Sequence, residues 1–371
     1  MQRIEFSAPL ADAKNYPPAL MSVHPAFSWR FWQWRSNQLA KSNVLFCRSG
    51  RGALYVAAQA LKKSKSNLIL LPAYHCPALV EPFIAAGYDI KFYPLHKDLS
   101  IDRVALRALL SSEVTHALVV RYFGHSGEVD TVLQELQQAN IVTFDDCAHD
   151  MQSFLDAAKN CADAKICSLP KFIAVNDGGL LFLKSGKYPK LRMQPLLDEI
   201  KSLVSRIRLP KLLFLRKLTK PKVDPSANIA VQPTTQTFRY LSEQDKTYAC
   251  LRLTKFLSQH TNLFLLFKTR QQHCQQLQNF LKENNAGSLL WDFKGQDVPY
   301  VVPFLLRSAT GFEVLRKNGL QIYRWEELAP SQCENSQSYR GRLIQIPCHQ
   351  TLSAEDLQTL KHLFSLLSEQ I

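Results

Sequence analysis

Lys171 is the residue of this chain whose setting best suits it for covalent chemistry. It lies in an apolar run that ends at the turn Gly178-Gly179, and it comes 25 residues after Asp146. An apolar setting removes water from an ammonium group and lowers its pKa, so the neutral amine becomes able to attack an aldehyde. These residues predict a lysine that forms a Schiff base.

Two acids and a histidine precede this lysine, in the run Asp145-Asp146-Cys147-Ala148-His149. A carboxylate beside a pyridine nitrogen keeps that ring cationic, and a cationic ring accepts the electrons of a substrate carbanion. Asp146 is the first candidate for this position and Asp145 the alternative, although a lone aspartate at a strand end is more often a cap. His149 either packs in the core or hydrogen-bonds the phenolic oxygen of the cofactor. Together with Lys171, they predict pyridoxal phosphate as the cofactor.

Three further loops contain candidate cofactor-binding residues. Ser49-Gly50-Arg51-Gly52 opens a predicted helix, whose amides, hydroxyl and dipole suit a phosphate, although such a turn also serves as a plain helix cap. Tyr74 and His75 follow a predicted strand and either pack or supply a ring that stacks on the pyridine; His75 is preferred. Ser168 either reaches the phosphate or belongs to a turn.

The elements that position these residues follow an α/β pattern. Between residues 67 and 144, four apolar strands alternate with helical patterns, which predicts a mainly parallel sheet sandwiched by helices. Ligands bind at the carboxyl ends of such strands, where these loops lie. We expect an N-terminal segment (1–43), a large cofactor-binding domain (44–240) with a basic insertion (184–236), and a long helix followed by a smaller C-terminal α+β domain (241–371).

Composition excludes several other classes of protein. The nine cysteines form no Cys-x-x-Cys pair, so neither a disulfide framework nor a metal site is expected. The chain contains no apolar run of membrane-spanning length and no signal-peptide pattern at its first residues, so a cytoplasmic location is expected. Residues 184–222 hold twelve Lys or Arg and two acids, which is most of the net charge of +14. No nucleic-acid-binding module accompanies this charge, so nucleic acid is not an expected partner.

The basic insertion has an amphipathic pattern. The apolar residues on one helical face are Ile200, Leu203, Val204 and Ile207, and the interspersed cations are Lys201, Arg206 and Arg208. Such a segment can lie on an anionic membrane or dock an acidic carrier through 184–222. Packing of the apolar face on the protein itself is the alternative. A peripheral position at the membrane therefore stays open.

The order of these motifs resembles the DegT/DnrJ/EryC1/StrS family of pyridoxal-phosphate-dependent sugar aminotransferases, which have the aspartate-aminotransferase-like fold type I. The motifs that carry the resemblance are Ser-Gly-Arg-Gly-Ala-Leu at 49–54, Pro-Ala-Tyr at 72–74, Tyr-Phe-Gly at 122–124, Phe-Asp-Asp-Cys-Ala-His at 144–149, Lys171 with Asn-Asp-Gly-Gly at 176–179, and Leu-Ile-Gln-Ile-Pro-Cys-His at 343–349.

The resemblance implies roles for individual residues. Lys171 would hold the cofactor and move the proton, Asp146 would meet the pyridine nitrogen, and His149 would lie near the phenolic oxygen. Gly50 and Arg51 would hold the phosphate. A homodimer with active sites at its interface is also implied. The family usually has an asparagine near residues 238–242 that reaches the partner's phosphate; this chain has none there, and Arg239 can replace it by charge. Cys76 stands where the family has an aromatic residue.

The predicted activity is transfer of an amino group from an amino-acid donor, glutamate by resemblance, to a keto or aldehyde acceptor. The acceptor is either a nucleotide sugar of polysaccharide or secondary-metabolite biosynthesis, or a ketone carried by a lipid or a carrier protein. A cofactor-binding protein that does not transaminate and acts in regulation or assembly is the alternative.

Overall fold

A mixed seven-stranded sheet forms the centre of the larger part of the molecule. The computed structural model describes residues 4–11, 15–64, 66–125, 127–156, 162–201 and 238–369. The strands are β1 (Leu45–Cys47), β2 (Leu68–Pro72), β3 (Asp89–Tyr93), β4 (Val114–Val120), β5 (Val142–Asp146), β6 (Ala164–Ser168) and β7 (Gly179–Leu183). Their order is β1-β7-β6-β5-β4-β2-β3. Strands β2 to β6 run parallel and β7 is antiparallel to both neighbours, which confirms the predicted α/β fold.

Helices follow the strands of this sheet. They are α1 (Gly50–Leu61), α2 (Pro77–Ala86), α3 (Arg103–Leu109), α4 (Val129–Gln138) and α5 (Met151–Leu155). Every residue of β2 is buried, as expected for a parallel strand whose two faces are both covered. The four strands predicted between residues 67 and 144 lie within two residues of β2, β3, β4 and β5.

The C-terminal part has its own antiparallel sheet, ordered β10-β9-β8. Its strands are β8 (Gly287–Leu289), β9 (Val301–Leu306) and β10 (Leu343–Pro347), and its helices are α9 (Thr310–Lys317), α10 (Glu334–Tyr339) and α11 (Ala354–Glu369). This smaller sheet agrees with the predicted α+β region. The predicted domain boundaries stay predictions.

The predicted long helix between the two sheets is divided into α6 (Glu243–Thr247), α7 (Arg252–Gln259) and α8 (Leu263–Lys282). The first break occurs because the chain is extended after α6, where Tyr248 bridges to Arg192 and Ala249 to Cys47. The second occurs because Asn262 starts a new helix: its side chain accepts the amide N–H of Leu265 at 3.0 Å.

The N-terminal segment joins both parts of the molecule. The amide of Gln321 donates to the carbonyl of Met21 at 3.0 Å, and the amide of Asn262 donates to the carbonyl of Phe31 at 2.7 Å. Residues 22–30 are therefore held between the C-terminal part of the chain and the start of α8. Within the described ranges, no helix is both long and apolar enough to cross a bilayer. The insertion residues 202–237 lie outside the described residues.

Candidate active site

A cavity of about 370 Å³ lies at the carboxyl ends of β5 and β6. Its lining includes Lys171 and Asp146, together with Ser168, Cys76 and His24. Asp146 is the last residue of β5, and Ser168 is the last residue of β6. Lys171 ends the short 3₁₀ turn Leu169–Lys171 that follows β6. Parallel pairing of β5 with β6 therefore brings the lysine and the carboxylate to the same edge of the sheet.

The Lys171 amine lies 5.3 Å from the centre of the Tyr300 ring. Burial lowers the pKa of Lys171, and this effect is opposed by the charges of Cys76 and Asp146. Within the part of the chain that the structure describes, the amine makes no hydrogen bond. The lysine main chain, in contrast, is fixed, because Arg270 Nη2 donates to its carbonyl at 2.7 Å. An amine with a lowered pKa and no hydrogen-bond partner among the described residues is suited to nucleophilic attack.

The structure separates the two candidate carboxylates. Asp146 faces the cavity, and its Oδ1 accepts the amide N–H of Ala148 at 2.8 Å. Burial raises the pKa of Asp146 to about 6, although the charge of Lys171 acts in the opposite direction. Asp145 is fully buried and forms a bidentate pair with Arg121, with Nε to Oδ1 and Nη2 to Oδ2 both at 2.9 Å. The alternation of side chains along β5 explains this difference.

His149 is buried beside the cavity and does not line it. Its ring stacks on Phe123 with centroids 5.2 Å apart and on Tyr300 at 4.9 Å. Burial, and then the charge of Lys171, holds the pKa of His149 well below its usual value, so the ring is neutral. Its Nδ1 accepts the amide N–H of Phe123 at 3.4 Å, which assigns the proton to Nε2.

The loop before α1 forms the third side of the cavity. Ser49 caps the helix: its Oγ accepts the amide N–H of Gly52 at 3.1 Å. Ser168 is adjacent to this turn, since a Cβ added to Gly50 would lie 3.4 Å from the Ser168 Cβ. Ser49, Gly50, Arg51 and Ser168 therefore meet at the start of a twelve-residue helix. Helix N-termini with unpaired amides bind anions.

Asp245, which the sequence analysis did not select, joins this loop from α6. Ser49 Oγ donates to its Oδ1 at 2.6 Å, and Arg51 Nε donates to its Oδ2 at 3.1 Å. Burial alone would raise the pKa of Asp245, but the Ser49 and Ser242 hydroxyls and the Arg51 charge bring it below its usual value. The sequence Ser242-x-x-Asp245 has the pattern of a capping box, and the structure contains that box. From the sequence, this pattern predicts that a helix starts at Ser242, but it does not predict that Asp245 contacts the loop before α1.

Tyr74 and His75 are not brought into the cavity. His75 is fully buried, its Nδ1 lies 3.0 Å from the Pro72 carbonyl, and its ring stacks on Phe92 at 4.7 Å. Tyr74 packs in an aromatic cluster against Trp325, with centroids 4.9 Å apart. Both rings are held by core packing, so this arrangement corrects their assignment as candidates for stacking on the cofactor.

Arg239 lies away from the cavity of its own chain. Its Nη1 donates to Glu327 Oε1 at 2.6 Å, and its amide donates to Glu81 Oε1 at 2.8 Å. The prediction that Arg239 reaches the phosphate site of a partner subunit stays a prediction.

His24 is a cavity residue that sequence reasoning missed. It lies in the N-terminal segment, to which no motif pointed, and tertiary packing brings it beside Lys171. Burial, followed by the charges of Lys171 and Arg270, lowers the pKa of His24 to about 4. Its Nδ1 is buried with no hydrogen-bond partner among the described residues. A neutral imidazole therefore faces the same cavity as the lysine.

Comparison with known proteins agrees with this geometry. Residues 32–193 match the DegT/DnrJ/EryC1/StrS aminotransferase family. MosB of Rhizobium meliloti is 26% identical over 129 residues, which is 34% of this chain and 25% of that protein. The aligned part thus spans about a quarter of the length of that relative.

Solved structures share the fold. PseC of Helicobacter pylori, an aminotransferase of pseudoaminic acid biosynthesis, matches over all of both chains with 18% identity and a TM-score of 0.62. NtdA of Bacillus subtilis, solved with bound cofactor PMP, matches with 13% identity and a TM-score of 0.62, over 90% of this chain and 74% of that one. The solved structures confirm the fold class, and the family match over residues 32–193 agrees with the resemblance seen in the sequence. The family whose model matches is one of aminotransferases, and NtdA holds PMP, the amine form of the cofactor pyridoxal phosphate.

The residues present fit that cofactor. The cavity volume of about 370 Å³ suits a small molecule. A carboxylate, an amine without a hydrogen-bond partner among the described residues and a helix N-terminus are the groups that a pyridine nitrogen, an aldehyde and a phosphate respectively require. Cys76 occupies a wall of the cavity, which leaves the ring-stacking position without an aromatic from the loop after β2.

Proposed function

We propose that this protein is a pyridoxal-phosphate-dependent aminotransferase that uses Lys171 as its Schiff-base lysine. The observation that carries the proposal is the meeting of Lys171, Asp146 and the start of α1 in one cavity. When bound, the cofactor supplies an aldehyde and a ring that accepts electrons.

Each group of the protein has a distinct task in this proposal. Lys171, whose pKa is lowered by burial, attacks as a neutral amine and later accepts and returns the proton of the substrate Cα. Asp146 is ionised beside a cationic ring nitrogen, because an opposite charge favours the carboxylate. The family resemblance assigns His149, which lies beside the cavity, to the phenolic oxygen; its Nε2–H would be the donor, since its Nδ1 already accepts a hydrogen bond.

The phosphate is assigned to the amides at the start of α1, with the Ser168 hydroxyl beside them. Arg51 adds a positive charge at this position while Asp245 fixes its direction. The homodimer, with Arg239 directed to the partner's phosphate site, belongs to the same proposal and rests on the family likeness.

The donor and acceptor are proposed from the relatives. PseC takes part in pseudoaminic acid biosynthesis and DesI was solved with its TDP-sugar product, which supports a keto sugar carried by a nucleotide as acceptor. Glutamate as donor is proposed from the family resemblance. A ketone on a lipid or a carrier protein is the second proposed acceptor. We also propose that the protein is located in the cytoplasm and attaches peripherally to a membrane or an acidic carrier through residues 184–222. Most of that segment lies outside the described residues.

Absorbance spectroscopy tests the activity. Purified protein with pyridoxal phosphate should show the band of the lysine-bound cofactor, and borohydride should fix the label on Lys171. Glutamate should then convert the band to that of the amine form. Lys171→Ala should abolish all three results, while Lys91→Ala, at an exposed position on β3, should leave them intact.

The alternative function predicts a different outcome of the same experiment. A protein that binds the cofactor without transaminating would show the band and the borohydride label, but no amino acid would convert it. Absence of any band would contradict both functions.

A further inference from the structure

Four exposed aromatic rings surround the half-buried ring of Trp32 on the surface formed by the N-terminal segment and α7. Phe27, Trp29, Trp32, Trp34 and Phe256 form a continuous set of ring contacts, with centroid distances between 5.1 and 6.2 Å. We call these five residues the aromatic patch. The Trp29 and Trp34 side chains are 76% and 89% exposed. Contiguous exposed apolar surface of this kind marks an interaction site.

A further exposed ring lies at the start of α8, which the N-terminal segment contacts. Phe264 is 78% exposed and lies in the first turn of α8, next to Asn262, whose amide bonds the carbonyl of Phe31. Lys268 is exposed and one helical turn further along α8, so it lies on the same side as Phe264.

The two sequence segments that build the aromatic patch contain positively charged residues and no acidic ones. No Asp or Glu occurs between Asp12 and Glu81, or between Asp245 and Glu283. Exposed cations are interleaved with the rings: Arg30 and Arg35 alternate with the tryptophans, and Lys255 precedes Phe256. The segments that build the aromatic patch therefore carry cations and no acids, and the acid that reaches α7 from another segment, Glu199, is bound to the amides of Arg252 and Leu253 at the start of that helix.

From this combination we infer that the aromatic patch binds the headgroup region of an anionic lipid membrane. Indole rings prefer the boundary between water and hydrocarbon, because they are apolar with one polar N–H. Arg and Lys beside them attract anionic headgroups while their stems contact apolar surface. This docking surface differs in residues from the basic insertion and does not depend on the proposed function.

Two other occupants fit the observations less well. A second copy bound through the same surface in a two-fold dimer would bring two cationic surfaces together, which like charges oppose. Single-stranded nucleic acid stacks its bases on free ring faces, whereas the Trp32 face is already stacked on His260, at 15°, and the edges of Trp29 and Trp34 meet Trp32 at 73° and 89°.

The aromatic patch is close to the candidate active site. Phe27 and Trp32 line a small cleft together with Ile173 and Ala174, which follow Lys171 by two and three residues. His24, three residues before Phe27, lines the active-site cavity itself. A membrane that contacts the rings would therefore lie beside the cavity, which suits an acceptor carried by a lipid.

Vesicle flotation of the full-length protein tests this inference. The probes are vesicles of phosphatidylcholine with and without phosphatidylglycerol. We expect binding to the anionic vesicles, and a loss of about tenfold or more in the apparent affinity for the double variant Trp29→Ser/Trp34→Ser. Arg30→Gln/Arg35→Gln should reduce binding to the anionic vesicles only. Val104→Ser, which removes an equally exposed apolar side chain (79%) from α3, is the matched control and should bind like the wild type.

Circular dichroism verifies that each variant is folded. We expect the tryptophan variant to fold, because both side chains are exposed. Three results would overturn the inference. The first is unchanged flotation of Trp29→Ser/Trp34→Ser, as expected if the basic insertion alone binds lipid. The second is dissociation of an oligomer by this variant, seen by light scattering with flotation unaffected, which would assign the surface to a second copy. The third is loss of oligo(dT) binding with flotation unaffected, which would assign it to nucleic acid.

Discussion

Arg270 donates a hydrogen bond from Nη2 to the main-chain carbonyl of Lys171, 2.7 Å away. The same guanidinium donates from Nη1 to the carbonyls of Pro299 and Tyr300 and from Nε to the side chain of Gln350. Arg270 is completely buried, and burial lowers its pKa to about 10. One cation on α8 thus ties the turn that holds the lysine to the start of the C-terminal sheet.

We expect Arg270 to be a positioning residue for Lys171. Arg270→Met should lower kcat about tenfold or more, because the lysine turn loses its attachment while the cavity residues remain. It should also shift the pH at which the band of the lysine-bound cofactor changes, which a purely structural role would not do. Arg270→Lys, which keeps the charge, should recover part of the activity. An unaltered pH titration in Arg270→Met would contradict this role.

The neighbouring aspartates of β5 should respond in opposite ways. Asp146→Asn should reduce activity by about a hundredfold or more with little loss of folding, since this residue faces the cavity. Asp145→Asn should destabilise the fold by about 3 kcal/mol or more, because it leaves the fully buried Arg121 without its main partner. Urea unfolding and steady-state kinetics on both variants measure the two effects. Equal losses of activity and stability in both variants would contradict the assignment.

Much of this site could be predicted from the sequence, because its main residues lie at the ends of consecutive strands. Lys171 and Asp146 are joined by one strand-helix-strand unit, so the parallel fold forces them to the same edge. His24 and Asp245 come from segments far away in the chain, and no local pattern links either to the cavity. They meet it only through tertiary packing.

The stacking ring was the least predictable part of the site, for a different reason. Tyr74 and His75 follow β2 as expected, but the direction of a loop side chain depends on neighbours that the sequence does not identify. Here Trp325 from the C-terminal part of the chain packs on the Tyr74 ring, and Phe92 stacks on the His75 ring. Both aromatic side chains therefore stay in the core.

Asp146 should make the stability of the cofactor-free protein depend on pH. Burial raises its pKa to about 6 in the folded state, from an ordinary value of 3.8. The folded state then binds this proton more tightly than the unfolded state, so the contribution is most favourable below about pH 4 and is lost as the pH rises through about 6. Two pKa units correspond to about 3 kcal/mol.

Urea unfolding between about pH 4 and pH 7 measures this effect. The free energy of unfolding of the wild type should fall relative to that of Asp146→Asn over this range. Asp292→Asn, which alters an exposed carboxylate, serves as the control and should follow the wild type. Parallel profiles for the wild type and Asp146→Asn would show that Asp146 is not the group responsible.

Arg51 should contribute to cofactor affinity through its charge. We expect Arg51→Gln to weaken binding of pyridoxal phosphate by about tenfold, because a charge-assisted contact is lost from a partly exposed group. The loss should shrink at high salt, which screens the wild-type attraction. Equilibrium dialysis at two salt concentrations gives both values. Lys184→Gln is the control, because it also removes one positive charge, but from a position beyond the far end of β7. Its affinity for pyridoxal phosphate should equal that of the wild type.

Unchanged affinity in Arg51→Gln would mean that the arginine serves only its pair with Asp245. Asp245→Asn distinguishes these roles, since it removes the carboxylate and leaves the Arg51 charge in place.

Gly179 begins β7 directly beneath the loop before α1. A Cβ added there would come within 2.1 Å of the Ser49 carbonyl oxygen and 2.6 Å of the Gly50 nitrogen. Any side chain at this position would push the strand and the first turn of the helix apart, together with the amides assigned to the phosphate. The second glycine of the turn after Lys171 thus determines how closely the anion site and the lysine approach each other. Substrate specificity can change through the cavity walls without altering that spacing, whereas a change at Gly179 would shift the floor of the site for every substrate.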